Sequence, residues 1–188
     1  MTTSSFLSVF AHNWTAEILP ARPLILPPRH HTYPAQVEEV ERGALEVMIS
    51  PNNGDLFLAT FALGFRDPIV PTGLWSAPNP EEICALSGGY AYIVSVHQPE
   101  RFVMLPMRPV LSVHAAEQAG LLLFVGNRDI LGWNAAGLAW EAKGVSSEGI
   151  TVNSIGPDTL RGTGWEMRTD REFDFALDLA TGTLQRKP

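Results

Sequence analysis

The chain has 188 residues, 45% of them hydrophobic and 18% charged, and a net charge of −7. This composition excludes an unfolded polyampholyte, and it offers no positive footprint for nucleic acid or an anionic membrane surface. A single cysteine, Cys84, excludes an intrachain disulfide and a thiolate metal cluster.

The N-terminal "MTTSSFLSVFAHNW" carries no Lys or Arg ahead of a short, broken apolar run, so it reads poorly as a signal peptide. No stretch reaches the about 18 apolar residues that a membrane-spanning helix needs. A cytoplasmic, soluble protein is expected. Pro20, Pro23, Pro27, Pro28 and Pro34 then fall close together, and each fixes its own φ and pushes the residue before it toward extended backbone. Residues 1–34 are read as an extended arm. Leu24, Ile25 and Leu26 make that arm too apolar for a solvated linker, so it is expected to pack on the domain or on a neighbouring subunit. Residues 35–188 are read as a single β domain.

Residues 44–50 and 56–63 are apolar and bracket "SPNNGD", in which Asn53-Gly54 is a strong hairpin signal. The second of these strands, nearly continuous in apolar residues, is expected to be buried on both faces. Residues 64–79 read as a long loop containing the isolated Trp75. At its end Asn79 is a suitable N-cap, Pro80 suits the first helical position, and Glu81 and Glu82 complement the helix dipole. With Gly88 as a stop, this predicts one short helix near 80–87. "GGYAYIVSV" then reads as a strand with Tyr90 and Tyr92 on one face. "FVMLPMRPVLSV" follows, demoted to an edge by Pro106 and Pro109.

From Leu121 onward, turns recur every 8–12 residues, the spacing of an antiparallel meander. In "EFDFALDL", Phe173, Phe175, Leu177 and Leu179 alternate with Asp174, Ala176 and Asp178, which predicts a strand with one wet face. The fold class expected is mainly β: successive antiparallel hairpins in a propeller-like or twisted sheet, with a β-sandwich as the alternative.

Two segments carry a resemblance. "LLLFVGNRDILGWNAAGLAWE" (121–141) and "FDFALDLATGTLQ" (173–185) resemble the blade hairpins of quinoprotein-type β-propeller repeats. The resemblance implies tandem hairpins and does not extend to a quinone cofactor. The chain as a whole resembles uncharacterised bacterial proteins of unknown function.

Candidate chemistry is sparse. His30 and His31 are adjacent, and in a strand they point to opposite faces. With His12, His97 and His114 they form no HExxH or His-x-His spacing, so no metal site and no cofactor are expected. Cys84 follows two glutamates that oppose a thiolate and reads as a buried thiol. Ser87 lies in no G-x-S-x-G, and Gly162 and Gly164 belong to no phosphate loop. Glu38, Glu39 and Glu41, like Asp170, Glu172 and Asp174, read as solvated acidic faces.

The aromatics point to contact. A surface built from Arg66, Asp67, Trp75 and Asn79, with Tyr90 or Tyr92 behind it, would bind a protein or a small polar ligand. If Trp75 instead plugs a gap and the tyrosine face is closed, these rings are core. The expected function is a non-catalytic binding or assembly protein, a homo-oligomer, using the apolar arm and the 64–79 loop. The alternative is a small hydrolase or isomerase pairing Asp170 or Glu172 with His97 or His114.

Overall fold

The structure is a computed structural model that describes residues 5–35 and 42–186. The acidic run Glu38, Glu39 and Glu41 lies outside the described residues. The chain is mainly β, with four sheets and a single 3-10 turn at Glu117–Ala119 among the described residues. It divides into two compact units, Met1–Pro109 and Val110–Pro188.

The first unit contains β1 (Ser5–Leu7), β2 (Trp14–Leu19), β3 (His30–Tyr33), β4 (Ala44–Pro51), β5 (Phe57–Ala62), β6 (Gly73–Ser76), β7 (Glu82–Ser87), β8 (Tyr90–Ser95) and β9 (Phe102–Met104). One sheet has the order β2-β4-β5-β3 and the other β1-β6-β7-β8-β9. The segment read as an arm thus supplies three strands. β2 pairs antiparallel with β4, while β1 and β3 pair in parallel with β6 and β5.

The period of two aims one side of each strand at a shared core. Trp14, Tyr33, Val47, Ile49, Phe57 and Phe61 from the first sheet meet Leu74, Ile83, Tyr92 and Val94 from the second. β5 is buried at every position, as its apolar run predicts. Its one polar side chain, Thr60, donates from Oγ1 to Oε2 of buried Glu46 across the ladder at 2.6 Å. Buried polar groups are stable when paired in this way.

Two turn signals trade places. β4 and β5 do form the expected hairpin, but through a longer connection in which neither Asn53 nor Gly54 has a positive φ. The tight turn with both central residues left-handed falls at Gly88 (φ 56°) and Gly89 (φ 75°), which join β7 to β8.

The short helix at 80–87 is not formed; Glu82–Ser87 is strand β7. The capping chemistry is present, though. Asn79 accepts from the Glu81 amide on its side chain (3.1 Å) and from the Glu82 amide on its carbonyl (3.0 Å). These bonds make a turn that launches a strand. Ile83, Cys84, Ala85 and Leu86 are all buried, and pairing with β6 on one edge and β8 on the other satisfies their backbone groups. A two-turn helix would leave half its backbone groups unpaired and bear an unfavourable nucleation step. The 64–79 loop is corrected likewise, because Gly73–Ser76 within it is strand β6.

The second unit contains β10 (Ser112–Ala116), β11 (Leu121–Val125), β12 (Ile130–Asn134), β13 (Gly137–Ala142), β14 (Ile150–Ile155), β15 (Thr159–Glu166), β16 (Arg171–Asp178) and β17 (Leu184–Arg186). They form two four-stranded antiparallel meanders, each in chain order. Leu121, Leu123, Ile130 and Trp140 of the first pack with Leu160, Phe175, Leu177 and Leu179 of the second. Trp140 also donates from Nε1 to the Leu179 carbonyl at 2.8 Å.

Candidate contact surfaces

The six residues read as one surface are distributed over three places. Trp75 lies in β6, opposite Cys84, and is 8% exposed. Tyr92 is fully buried in the core and donates its hydroxyl to the Ala62 carbonyl at 3.0 Å. Both are therefore buried, on opposite faces of the sheet: Tyr92 faces the first unit's core, and Trp75, in register with Cys84 and Ile93, faces the other way.

Asn79 stands before the start of β7, and Tyr90 follows its end at the Gly88-Gly89 turn. Strand β7, roughly 20 Å long at 3.3 Å per residue, separates them. Arg66 and Asp67 lie at the Tyr90 end. There the Gly64 and Phe65 amides donate to the Ser87 and Gly88 carbonyls at 3.0 and 2.8 Å.

That end forms a coherent surface. The Phe65 ring meets the Tyr90 ring edge-on at 5.8 Å, and Arg108 lies over Tyr90 at 5.0 Å. Arg66 is held by two hydrogen bonds to the Arg42 carbonyl, and Asp67 Oδ1 accepts from the Ile69 amide. This turn holds Ile69 outward, 80% exposed. Phe65, Ile69 and Arg108 were missed in the sequence. Two apolar residues in a Pro/Gly loop were the available signal for the first pair.

The arm's apolar residues lie at the other end of β5. The connection between β2 and β3 carries Leu24, fully exposed, and Ile25, 88% exposed. Its base is fixed. The Leu58 amide donates to the Arg29 carbonyl at 3.1 Å, and Arg29 Nη1 donates to the Asp55 carbonyl and faces its carboxylate at 3.6 Å.

A third feature is a groove of about 420 Å³ on the face of the second sheet turned away from the first unit's core. It is lined by Ile93, Ser95, Phe102 and Val103, together with Asn79, Glu81, Glu82, Glu100 and Arg101. The cross-strand pairs Glu82–Ser95 and Ile93–Val103 place these residues side by side.

The histidines and carboxylates considered for catalysis are spread over both units. His97 belongs to the first unit and His114 to the second. His114 pairs with Ser112 at 2.9 Å, and burial lowers its pKa from 6.5. Asp170 is a turn residue with φ 53° between β15 and β16. No group of three or more His, Cys, Asp or Glu side chains among the described residues is arranged to hold a metal ion. Burial, then the nearby Glu82 charge, raises the Cys84 pKa well above 9.0, so the thiol stays protonated. Among the described residues no helix is long and apolar enough to cross a membrane.

No family model matches the chain, and no curated protein matches it. Among solved structures it is similar to the crystal structure of the N-terminal domain of Nup159, with a TM-score of 0.40 and 8% identity. The match covers 100% of this chain and 54% of that one, so the chain spans about half that structure's length.

Proposed function

We propose that this protein is a non-catalytic binding or assembly protein of the cytoplasm, and that its first partner is a second copy of itself. The observation that supports this most is the loop tip of Leu24 and Ile25, held in water between Pro23 and the Pro27-Pro28 pair. Burying each aliphatic side chain is worth about 1.5–3 kcal/mol, a gain the isolated chain forgoes. The prolines and the Arg29–Asp55 clamp already restrict the loop, so docking it forfeits little conformational entropy. The Phe65–Ile69–Tyr90 surface supplies a second patch at the opposite end of β5. Patches at two ends allow one molecule to contact two neighbours.

Sedimentation velocity on the wild type and on the Leu24→Ser, Ile25→Ser double variant tests this reading. The wild type is expected to sediment as an oligomer at micromolar concentration. The variant shifts toward monomer with its stability changed by no more than about 0.5 kcal/mol, as for exposed sites. A monomeric wild type, or a variant that assembles as the wild type does, overturns it.

A further inference from the structure

We infer that the outer edge of β9, together with the groove beside it, receives an extended cationic segment of a partner protein by strand addition. This is a surface separate from the assembly loop.

β9 ends its sheet, whose order runs β1-β6-β7-β8-β9. The Ser95 amide donates to the Arg101 carbonyl (3.0 Å), and the Leu105 amide to the Ala91 carbonyl (2.9 Å). In an antiparallel pair the residues bonded to the neighbour alternate with those that are not. Arg101, Val103 and Leu105 therefore bond inward to β8, and the amides and carbonyls of Phe102 and Met104 face away from it. An edge of this kind pairs with an incoming strand.

The side chains flanking the edge select what pairs there. A strand added beside β9 alternates its side chains between the two faces of the sheet. On one face they lie beside Phe102, which is exposed. On the other they lie beside Val103 and reach the groove, whose lining includes Glu81 and Glu100. The one cation there, Arg101, is engaged by Gln98 Oε1 at 3.2 Å. The carboxylates of Glu81 and Glu100 favour Lys or Arg at alternate positions of the partner, with apolar residues between them. Two outward pairing residues, followed by Pro106 after the strand, suit a short segment.

The test is fluorescence anisotropy with labelled octapeptides on the full chain. The Lys-Val alternating peptide should bind in the micromolar range. Its Glu-Val counterpart should bind at least about 10-fold more weakly. Phe102→Pro removes one outward N–H and leaves the bonds to β8 intact, so it should abolish binding. Phe102→Ala should weaken it only a few-fold. Glu81→Gln with Glu100→Gln should weaken binding and flatten its salt dependence. Methylating the peptide's backbone nitrogens at alternate residues should block binding in one phase and spare it in the other, whatever the folding of the proline variant. Equal binding of both methylated peptides, or of a Lys-Val peptide broken by proline, would show adsorption of a polycation and overturn the inference. The Leu24→Ser, Ile25→Ser variant should bind the peptide as the wild type does, which separates this surface from the assembly reading.

Discussion

Residues 110–188 and residues 1–109 bury similar apolar cores and connect them differently. In the second unit strand order follows chain order through both sheets, and each pairing is antiparallel. In the first unit β3 crosses to the far side of β5, and β1 joins β6 from more than sixty residues away. A meander closes one short turn at a time, whereas a crossing strand must be placed by its side chains. The Leu24–Ile25 tip, the Phe65–Ile69 loop and the groove beside β9 lie in the first unit, where connections are long enough to leave the sheet, while Leu138 and Met167 are exposed in the second. Both surfaces proposed above for contact thus belong to the half with the irregular connections.

The largest expected effect tests whether Trp75 belongs to that packing. Trp75→Ala should cost about 3–5 kcal/mol, as for other buried aromatic truncations, read as the shift in denaturant midpoint at constant slope. A shift below 1 kcal/mol would return Trp75 to the surface.

Next come two left-handed glycines, one from each unit. A Cβ on Gly88 would collide with the Phe65 carbonyl oxygen and come within 2.8 Å of Leu63, whereas one on Gly149 meets nothing within 4 Å. Gly88→Ala should therefore cost about 2–4 kcal/mol and Gly149→Ala about 1 kcal/mol, the backbone term alone. Equal losses would mean that the close approach of Phe65 to the turn is relieved without cost.

The smallest effect is in pH. Burial lowers the His114 pKa from 6.5 in the second unit. In the first unit burial is also the largest cause of the lowered His31 pKa; Glu100 opposes it, and Arg29 and His30 add to it. Below 6.5 the unfolded chain takes up these protons before the folded chain does. Their contribution is thus complete above that value and is lost as pH falls toward the lowered folded values. His114→Asn should reduce the drop in unfolding midpoint between about pH 7.5 and 5.5, and leave the part due to His31. An unchanged drop would remove His114 from the account.

Much of the β architecture was legible because it is local. Turn residues and alternating Phe173, Phe175 and Leu177 specify hairpins whose partners are the next strand along. The candidate surface was legible only in part. Leu24 and Ile25 stood out as apolar residues among prolines, and the structure leaves both exposed instead of packed on their own domain. Trp75 and Tyr92 did not separate from surface aromatics, because a ring looks the same in sequence whether a strand turns it inward or a loop holds it out. Helix 80–87 failed for a related reason. Asn79, Glu81 and Glu82 describe how a segment begins, and an Asx turn satisfies the same amides whether helix or strand follows.

By itself the sequence determined the strand-rich class and the hairpins of residues 121–186, since each follows from periodicity or turn chemistry within a few residues. The tertiary structure alone decided the parallel placements of β1 and β3, the strand state of Glu82–Ser87 and the groove beside β9. Those depend on pairing partners distant in the chain, where the burial of two faces outweighs any local signal.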